Sequence, residues 1–318
     1  MAREMKYLSV CSGIEAATVA WHSLGWEPQA FSEIEKFPSQ VLKHHYPNVP
    51  NLGDMTKFEE WNLGTIDLLV GGTPCQSFSV AGLRKGLDDP RGNLMLTYGA
   101  IANRFRPRWL VWENVPGVLS SNGGRDFGSF LGMLGELGYG WAYRVLDAQY
   151  FGVAQRRRRV FVVGHFGNWR HAAAVLFERH SLQGNPAPSR EARQSVAGTI
   201  GSCASSGGVF STDFECAGLQ PVSPTVTNGP PFSRTGNERV EAEALVTVFG
   251  PRMQSMAVRR LTPVECERLQ GFPDNYTNIP KAADGPRYKA LGNSMAVPVM
   301  AWIGKRINLA VNLAAMRH

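Results

Sequence analysis

A cysteine at position 75 sits in the stretch "GGTPCQSFSVAG" (71–82), with two glycines and a proline close before it and polar residues after it. A lone free cysteine is ordinarily inert core, but its neighbours here point elsewhere. Gly71 and Gly72 permit close approach, Pro74 stiffens the backbone, and "QSFS" is unlike a core run. A thiol just beyond a buried strand ("DLLVGGTP") becomes a nucleophile when positive charge or a helix N-terminus lowers its pKa. Such charge is available in "QRRRRVFVVG" (155–164), where four consecutive arginines run into an apolar segment. In an extended strand, Gln155, Arg157 and Arg159 share one face and Arg156 and Arg158 the other. One set can enter a site while the other meets solvent or phosphate. A carboxyl completes the group: "RWLVWENVPGV" (108–118) ends an apolar run in Glu113 and Asn114. At the mouth of an apolar site, such a carboxyl has its pKa raised enough to donate a proton.

These side chains need a framework. Residues 6–164 alternate short apolar runs with amphipathic segments, the pattern of a parallel sheet flanked by helices. Strands are expected at "KYLSVC", "PQAFSEI", "DLLVGG", "RWLVWEN", "YRVLDA" and "RVFVVGH". Helices are expected at "EAATVAWHSLG", "FPSQVLKHHY", "GNLMLTYGAIANRF" and "DFGSFLGMLGELG". The expected fold is therefore a doubly wound α/β domain, with ligands at the carboxyl ends of its strands. From about 181 to 237 the chain is dense in Gly, Ser, Thr and Pro, and loops with a few short strands are expected there. Helical patterning resumes at about 258 in "VRRLTPVECERLQGFPDNY" and "SMAVPVMAWIGKRINLAVNLAA". A smaller, loop-rich domain set into or beside the large one follows from this change of texture.

"SVCSGIEAATVAW" (9–21) follows the first strand and opens a helix, where backbone N–H groups can meet a nucleoside cofactor. Glu33, about 20 positions on, could hold ribose hydroxyls, and Asp54 could face an adenine amino group.

Composition sets the outer bounds. The 318 residues carry a formal net charge of +7, which suits a polyanionic partner, with nucleic acid the leading candidate. Five cysteines at 11, 75, 203, 216 and 266 form no CxxC pair and no disulfide framework, so free thiols in a reducing compartment are expected. "MAREMKYLSV" lacks the apolar core of a signal peptide, and no stretch approaches the roughly 20 apolar residues that span a bilayer. The expectation is a cytoplasmic protein with no membrane partner.

Taken together, the motifs resemble those of the DNA (cytosine-5) methyltransferases. The likeness is carried by the Ser-Gly-Ile of 12–14, Glu33, Asp54, the Pro-Cys-Gln of 74–76, the Glu-Asn-Val of 113–115 and the Gln-x-Arg-x-Arg of 155–159. "RRLTPVECERLQGFPD" (259–274) and "GNSMAVPV" (292–299) complete it, in the family's order. The resemblance implies the S-adenosylmethionine-dependent methyltransferase fold. It implies a catalytic and cofactor-binding domain over 1–165, a target recognition domain over 166–257, and a C-terminal segment, 258–318, returning to the first.

By the same resemblance, Cys75 adds to C6 of a flipped-out cytosine, Glu113 assists at N3, and Arg157 and Arg159 contact the base and the catalytic machinery. S-adenosylmethionine is implied as methyl donor. Ser12, Gly13, Ile14, Glu33, Ile34, Asp54, Met55, Pro74, Asn293 and Ser294 are its expected contacts. Gln76, Ser79, Asn114 and Gln155 are expected to face the DNA, and "QSFSVAGLRKG" to close on it. Double-stranded DNA is the implied partner, with a cognate restriction endonuclease as a functional one, and the chain is expected to act as a monomer. Two departures stand out: where the family reads Phe-x-Gly-x-Gly-Gly, this chain has Cys11, Glu15 and Ala16 at the Phe and last two Gly positions. Cys11 is read as packing, and Glu15 as turned away from the cofactor into the first helical turn, where an acid suits the dipole. Competing readings are an RNA cytosine-5 methyltransferase, disfavoured by the large insert, and an inactive DNA-binding regulator, disfavoured by the intact Cys75, Glu113 and Arg159.

Overall fold

Six apolar runs pair into one sheet in the computed structural model, which describes residues 4–74, 94–178, 245–248 and 257–315. They are β1 (Lys6–Val10), β2 (Glu27–Ser32), β3 (Leu68–Gly71), β4 (Trp109–Asn114), β5 (Tyr139–Asp147) and β6 (Arg158–Phe166). Their order is β2-β1-β3-β4-β6-β5. The first four are parallel, and β6 runs antiparallel to both β4 and β5. The mostly parallel, doubly wound α/β fold is present, with one reversed strand. A separate antiparallel pair joins β7 (Leu245–Val248) to β8 (Ala257–Arg260).

Eight α-helices accompany the strands among the described residues: α1 (Ala16–Trp21), α2 (Lys36–His45), α3 (Leu94–Phe105), α4 (Arg125–Glu136), α5 (Trp169–Leu176), α6 (Pro263–Gln270), α7 (Asp284–Asn293) and α8 (Val297–Ala315). They cover both faces of the sheet, which is why the strands read as continuous apolar runs rather than alternating ones. Along β4, Trp109 and Val111 enter one core, shared with α1, α5 and α8. Leu110 and Trp112 enter the other, shared with α3 and α4. Because β1 lies between β2 and β3, the connections leaving β1 and β3 depart to opposite faces. The crevice between them is where such sheets hold ligands.

The C-terminal segment is locked onto this crevice. Trp21 is fully buried, edge-on to Tyr7 at 5.2 Å, and its Nε1 donates to the Met300 carbonyl at 2.8 Å. Gly304 is required there, since a Cβ would lie 2.4 Å from the Trp21 ring. Losing a tryptophan so placed costs about 3–5 kcal/mol. Upstream, α6 has both ends specified: a capping box between Thr262 and Glu265, Pro263 at its start and left-handed Gly271 at its end. The sequence did not mark α7, whose Gly285, Pro286 and Gly292 give it the composition of a loop.

Candidate active site

The carboxyl end of β4 delivers Glu113, and the register sets it opposite Phe161 of β6. Glu113 is 7% exposed, and its Oε1 lies 3.2 Å from Arg159 Nε. The pair lacks hydrogen-bond alignment, so Oε1 still has no donor. Burial pushes this carboxyl up, and the opposing pull of Arg157 and Arg159 does not cancel it. Glu113 therefore holds its proton to a higher pH than an ordinary carboxyl, the direction that suits a hydrogen-bond donor to a ligand. The double glycine before Pro74 has a structural reason on each side. A Cβ on Gly71 would lie 2.6 Å from Val10 Cγ2, and one on Gly72 would lie 2.9 Å from Glu113 Oε2.

The expected alternation of the arginine run is present: Gln155 and Arg157 are buried, and Arg156 and Arg158 are exposed. The strand itself starts only at Arg158, so Gln155 and Arg157 lead into β6 rather than belonging to it. Arg157 donates to the Ser294 carbonyl at 2.6 Å, while its Nε and Nη1 have no partner. Burial holds its guanidinium down to about 9, with Arg159 adding and Glu113 opposing, so it stays charged at neutral pH. Gln155 is fully buried with neither side-chain polar atom bonded. Asn114 donates to the Thr73 carbonyl at 2.9 Å, and Trp112 Nε1 donates to Thr73 Oγ1 at 3.0 Å. These two bonds from β4 pin the backbone immediately ahead of Pro74.

The loop after β1 is held from β2. Ser12 N donates to the Ser32 carbonyl at 3.2 Å, Ser12 Oγ donates to the Ser9 carbonyl at 3.0 Å, and Ser32 N donates to Ser12 Oγ at 3.1 Å. Gly13, at φ 55°, donates its N–H to Glu33 Oε2 at 2.7 Å, and Glu35 N donates to Oε1 at 2.7 Å. Beside this carboxylate, Ile34 is 74% exposed. Asp54 accepts from both N and Oγ1 of Thr56 at 2.9 Å and so caps the 3-10 turn Met55–Glu60. Cys11 donates to Met55 Sδ at 3.4 Å, and burial together with the Glu33 and Asp54 charges pushes its thiol up to about 12. Its thiol is neutral, but it also lines the pocket, so packing is not its only contact. Glu15 does cap the first turn of α1, accepting from Thr18 N at 3.3 Å, yet it also lines the pocket.

That pocket joins the two sets. Ser12 and Gly13 after β1, Gly72 after β3, Glu113 at the end of β4, and Asn293 and Ser294 between α7 and α8 all line it. It opens to solvent, and the roughly 390 Å³ of space between its lining residues includes part of that solvent. Glu33, Ile34, Asp54, Met55 and Pro74 are not in its lining, and Ile14, fully buried in the core, is not either. Glu33 and Met55 reach it through Gly13 and Cys11 respectively. Cys75, Gln76, Ser79 and the loop "QSFSVAGLRKG" lie outside the described residues, as does the stretch 179–244. Among the described residues no cluster of three or more His, Cys, Asp or Glu could hold a metal ion, and no helix is long and apolar enough to cross a membrane.

One positioning residue escaped the sequence reading. Tyr276 donates its hydroxyl to the Ile14 carbonyl at 2.9 Å, stacks face to face on His45 at 4.1 Å and meets Tyr46 Oη at 3.1 Å. Its loop is organised by the fully buried Glu267, which accepts from Asn275 N, Thr277 N and Arg287. The signal was its place just beyond "LTPVECERLQGFPD".

A family profile described as C-5 cytosine-specific DNA methylase matches residues 5–206 and 219–309. A DNA N-6-adenine-methyltransferase of Escherichia phage P1 is 38% identical, over 97% of this chain. The match spans 62% of that protein's length. Type II methyltransferase M1.ScrFI of Lactococcus lactis subsp. cremoris is 30% identical across 95% of this chain and 77% of its own. The crystal structure of the S. pombe Dnmt2 methyltransferase superposes with a TM-score of 0.68 at 17% identity, over 98% of this chain and 99% of that one, a likeness of fold.

Proposed function

This chain belongs to the C-5 cytosine-specific DNA methylases, and on that premise we propose that it transfers a methyl group from S-adenosylmethionine to C5 of a cytosine flipped out of a specific duplex DNA sequence. One observation carries the reading: a buried carboxyl whose pKa is raised by its burial, Glu113, lines the same pocket as the Ser12–Gly13 loop and Ser294. The residues suit the cofactor. Ser12, Gly13, Asn293 and Ser294 would hold its amino-acid part, and Glu33 its ribose hydroxyls; the exposed Ile34 would pack against the adenine. When bound, S-adenosylmethionine supplies the electrophilic methyl group.

C5 of cytosine is a poor nucleophile, and the protein's task is to activate it. The Cys75 thiolate adds to C6, and Glu113 donates a hydrogen bond or proton at N3, which draws electrons from the ring and favours that addition. The resulting enamine is nucleophilic at C5. After methylation, loss of the C5 proton and expulsion of Cys75 restore the ring. Arg159 holds Glu113, and Arg157 ties the site to Ser294. Flipping the base costs a few kcal/mol, which contacts to the phosphate backbone offset in a chain of net charge +7. The helix α5 (Trp169–Leu176) packs into the core of the main domain, so of the expected 166–257 segment only the part beyond that helix would read the duplex; the type II relatives suggest a cognate restriction endonuclease. The phage P1 relative is named for adenine, but methylating an exocyclic amine needs neither a thiol on the ring nor a donor at N3. Cys75 and Glu113 fit cytosine.

The test is methyl transfer from labelled S-adenosylmethionine to duplex DNA and, in parallel, to tRNA. Label at C5 of cytosine in the duplex is expected, together with a stable adduct through Cys75 when 5-fluorocytosine stands at the target. Label confined to tRNA, or to N6 of adenine, overturns the reading.

A further inference from the structure

Glu15 has no part in the chemistry above, and its placement is unusual. It adopts left-handed backbone, φ 65° and ψ 59°, which strains any residue with a Cβ and persists where the surroundings enforce it. It is 1% exposed and lines the pocket alongside Ser12, Gly13 and Ser294. Oε1 accepts from Thr18 N, whereas Oε2 has no hydrogen-bond partner. The charged and titratable groups that face it are Glu33 beyond β2, Tyr7 on β1, Tyr46 at the end of α2 and Tyr276 beyond α6. None of them is a cation. A buried carboxyl with one bare oxygen beside a ligand pocket lacks only a positive charge.

We propose that the cofactor brings that charge: Glu15 holds a proton in the free protein and passes it to solvent when S-adenosylmethionine fills the pocket. The inference rests on the cofactor reading above. S-adenosylmethionine carries a positive charge on sulfur that its demethylated product, S-adenosylhomocysteine, lacks. The same carboxyl therefore favours fresh cofactor over spent product. Burial has already pushed Glu15 up to about 7, against the hydrogen bond from Thr18 and the nearby Ser9 hydroxyl, so a nearby cation changes its ionisation within the neutral range. Glycine, with no Cβ and no charge, would accept this backbone without strain but could not make the distinction.

Calorimetric titration of the full chain with S-adenosylmethionine, in buffers of different ionisation enthalpy, counts the protons released on binding. At pH 7 the wild type should release about half a proton per cofactor, and clearly less with S-adenosylhomocysteine. Glu15→Gly, which also relieves the backbone, and Glu15→Gln should release none from this site, and their preference for cofactor over product should fall several-fold. Glu113 lines the same pocket, and release from it would survive in both variants. Cofactor binding with no proton release, or with release unchanged in Glu15→Gly, overturns the proposal alone. Failure of S-adenosylmethionine to bind at all overturns the cofactor reading and the proposal with it.

Discussion

The two walls of the site, each made of residues that line the pocket and residues one layer behind them, are finished to different degrees. On the wall built from β1, β2 and the 3-10 turn, Glu33, Ser12 and Asp54 already have protein partners, and Glu15 Oε2 is the bare exception. On the wall at the ends of β4 and β6, Gln155 is wholly unpaired, Arg157 has two unpaired nitrogens, and Glu113 Oε1 has no donor. A buried polar group without a partner costs about 1–3 kcal/mol. The second wall is therefore held by its strands and not by its polar groups. In physical terms, the first wall is satisfied within the protein and the second is a set of buried donors and acceptors without protein partners.

If the walls work separately, changes on one should leave the other's property intact. Glu113→Gln keeps the shape of the second wall and removes its proton. Single-turnover methyl transfer should fall about 10²- to 10⁴-fold, while the dissociation constant for S-adenosylmethionine moves about twofold or less. An equal loss in both would mean that the walls are one unit. A smaller effect concerns Glu15, whose folded-state pKa, about 7, lies above its unfolded value. Its contribution to stability is full below the unfolded pKa and is lost as pH rises through the folded one. Between pH 5 and 8 the wild type should lose about 2 kcal/mol through this group. Denaturant titrations of Glu15→Gln should show a slope shallower by that amount, and parallel slopes would remove Glu15 from the account. The smallest effect is expected from Tyr276→Phe, which deletes the bond to the Ile14 carbonyl. A net loss of about 1 kcal/mol should weaken cofactor binding about fivefold and leave the single-turnover rate near wild type. A rate effect without a binding effect would sink its assigned role on the first wall.

Much of this arrangement was legible in the sequence because it rests on short-range patterns. The apolar runs mark all six strands of the sheet, and the period-2 spacing of Gln155, Arg157 and Arg159 foretells which of the neighbouring arginines are buried and which exposed. The reversal of β6 was not legible, because an apolar run carries no direction. Nor was the bond from Tyr276 to Ile14, which spans 262 residues and exists only once α6 and its following loop dock. The helix α7 was hidden by its own glycines and proline. The burial of Glu15 went unforeseen for a related reason: a first-turn acid looks solvated until α2 and the Tyr276 loop close over it.

If Cys75 drives methylation of C5 of cytosine in duplex DNA, genomic DNA from cells expressing the protein carries the most direct record of it. Sequencing at 5-methylcytosine resolution should find the modified base in one short sequence context with the wild type, and none above background with Cys75→Ser. Undiminished 5-methylcytosine in the Cys75→Ser strain, or no 5-methylcytosine from an active wild-type enzyme, would contradict it.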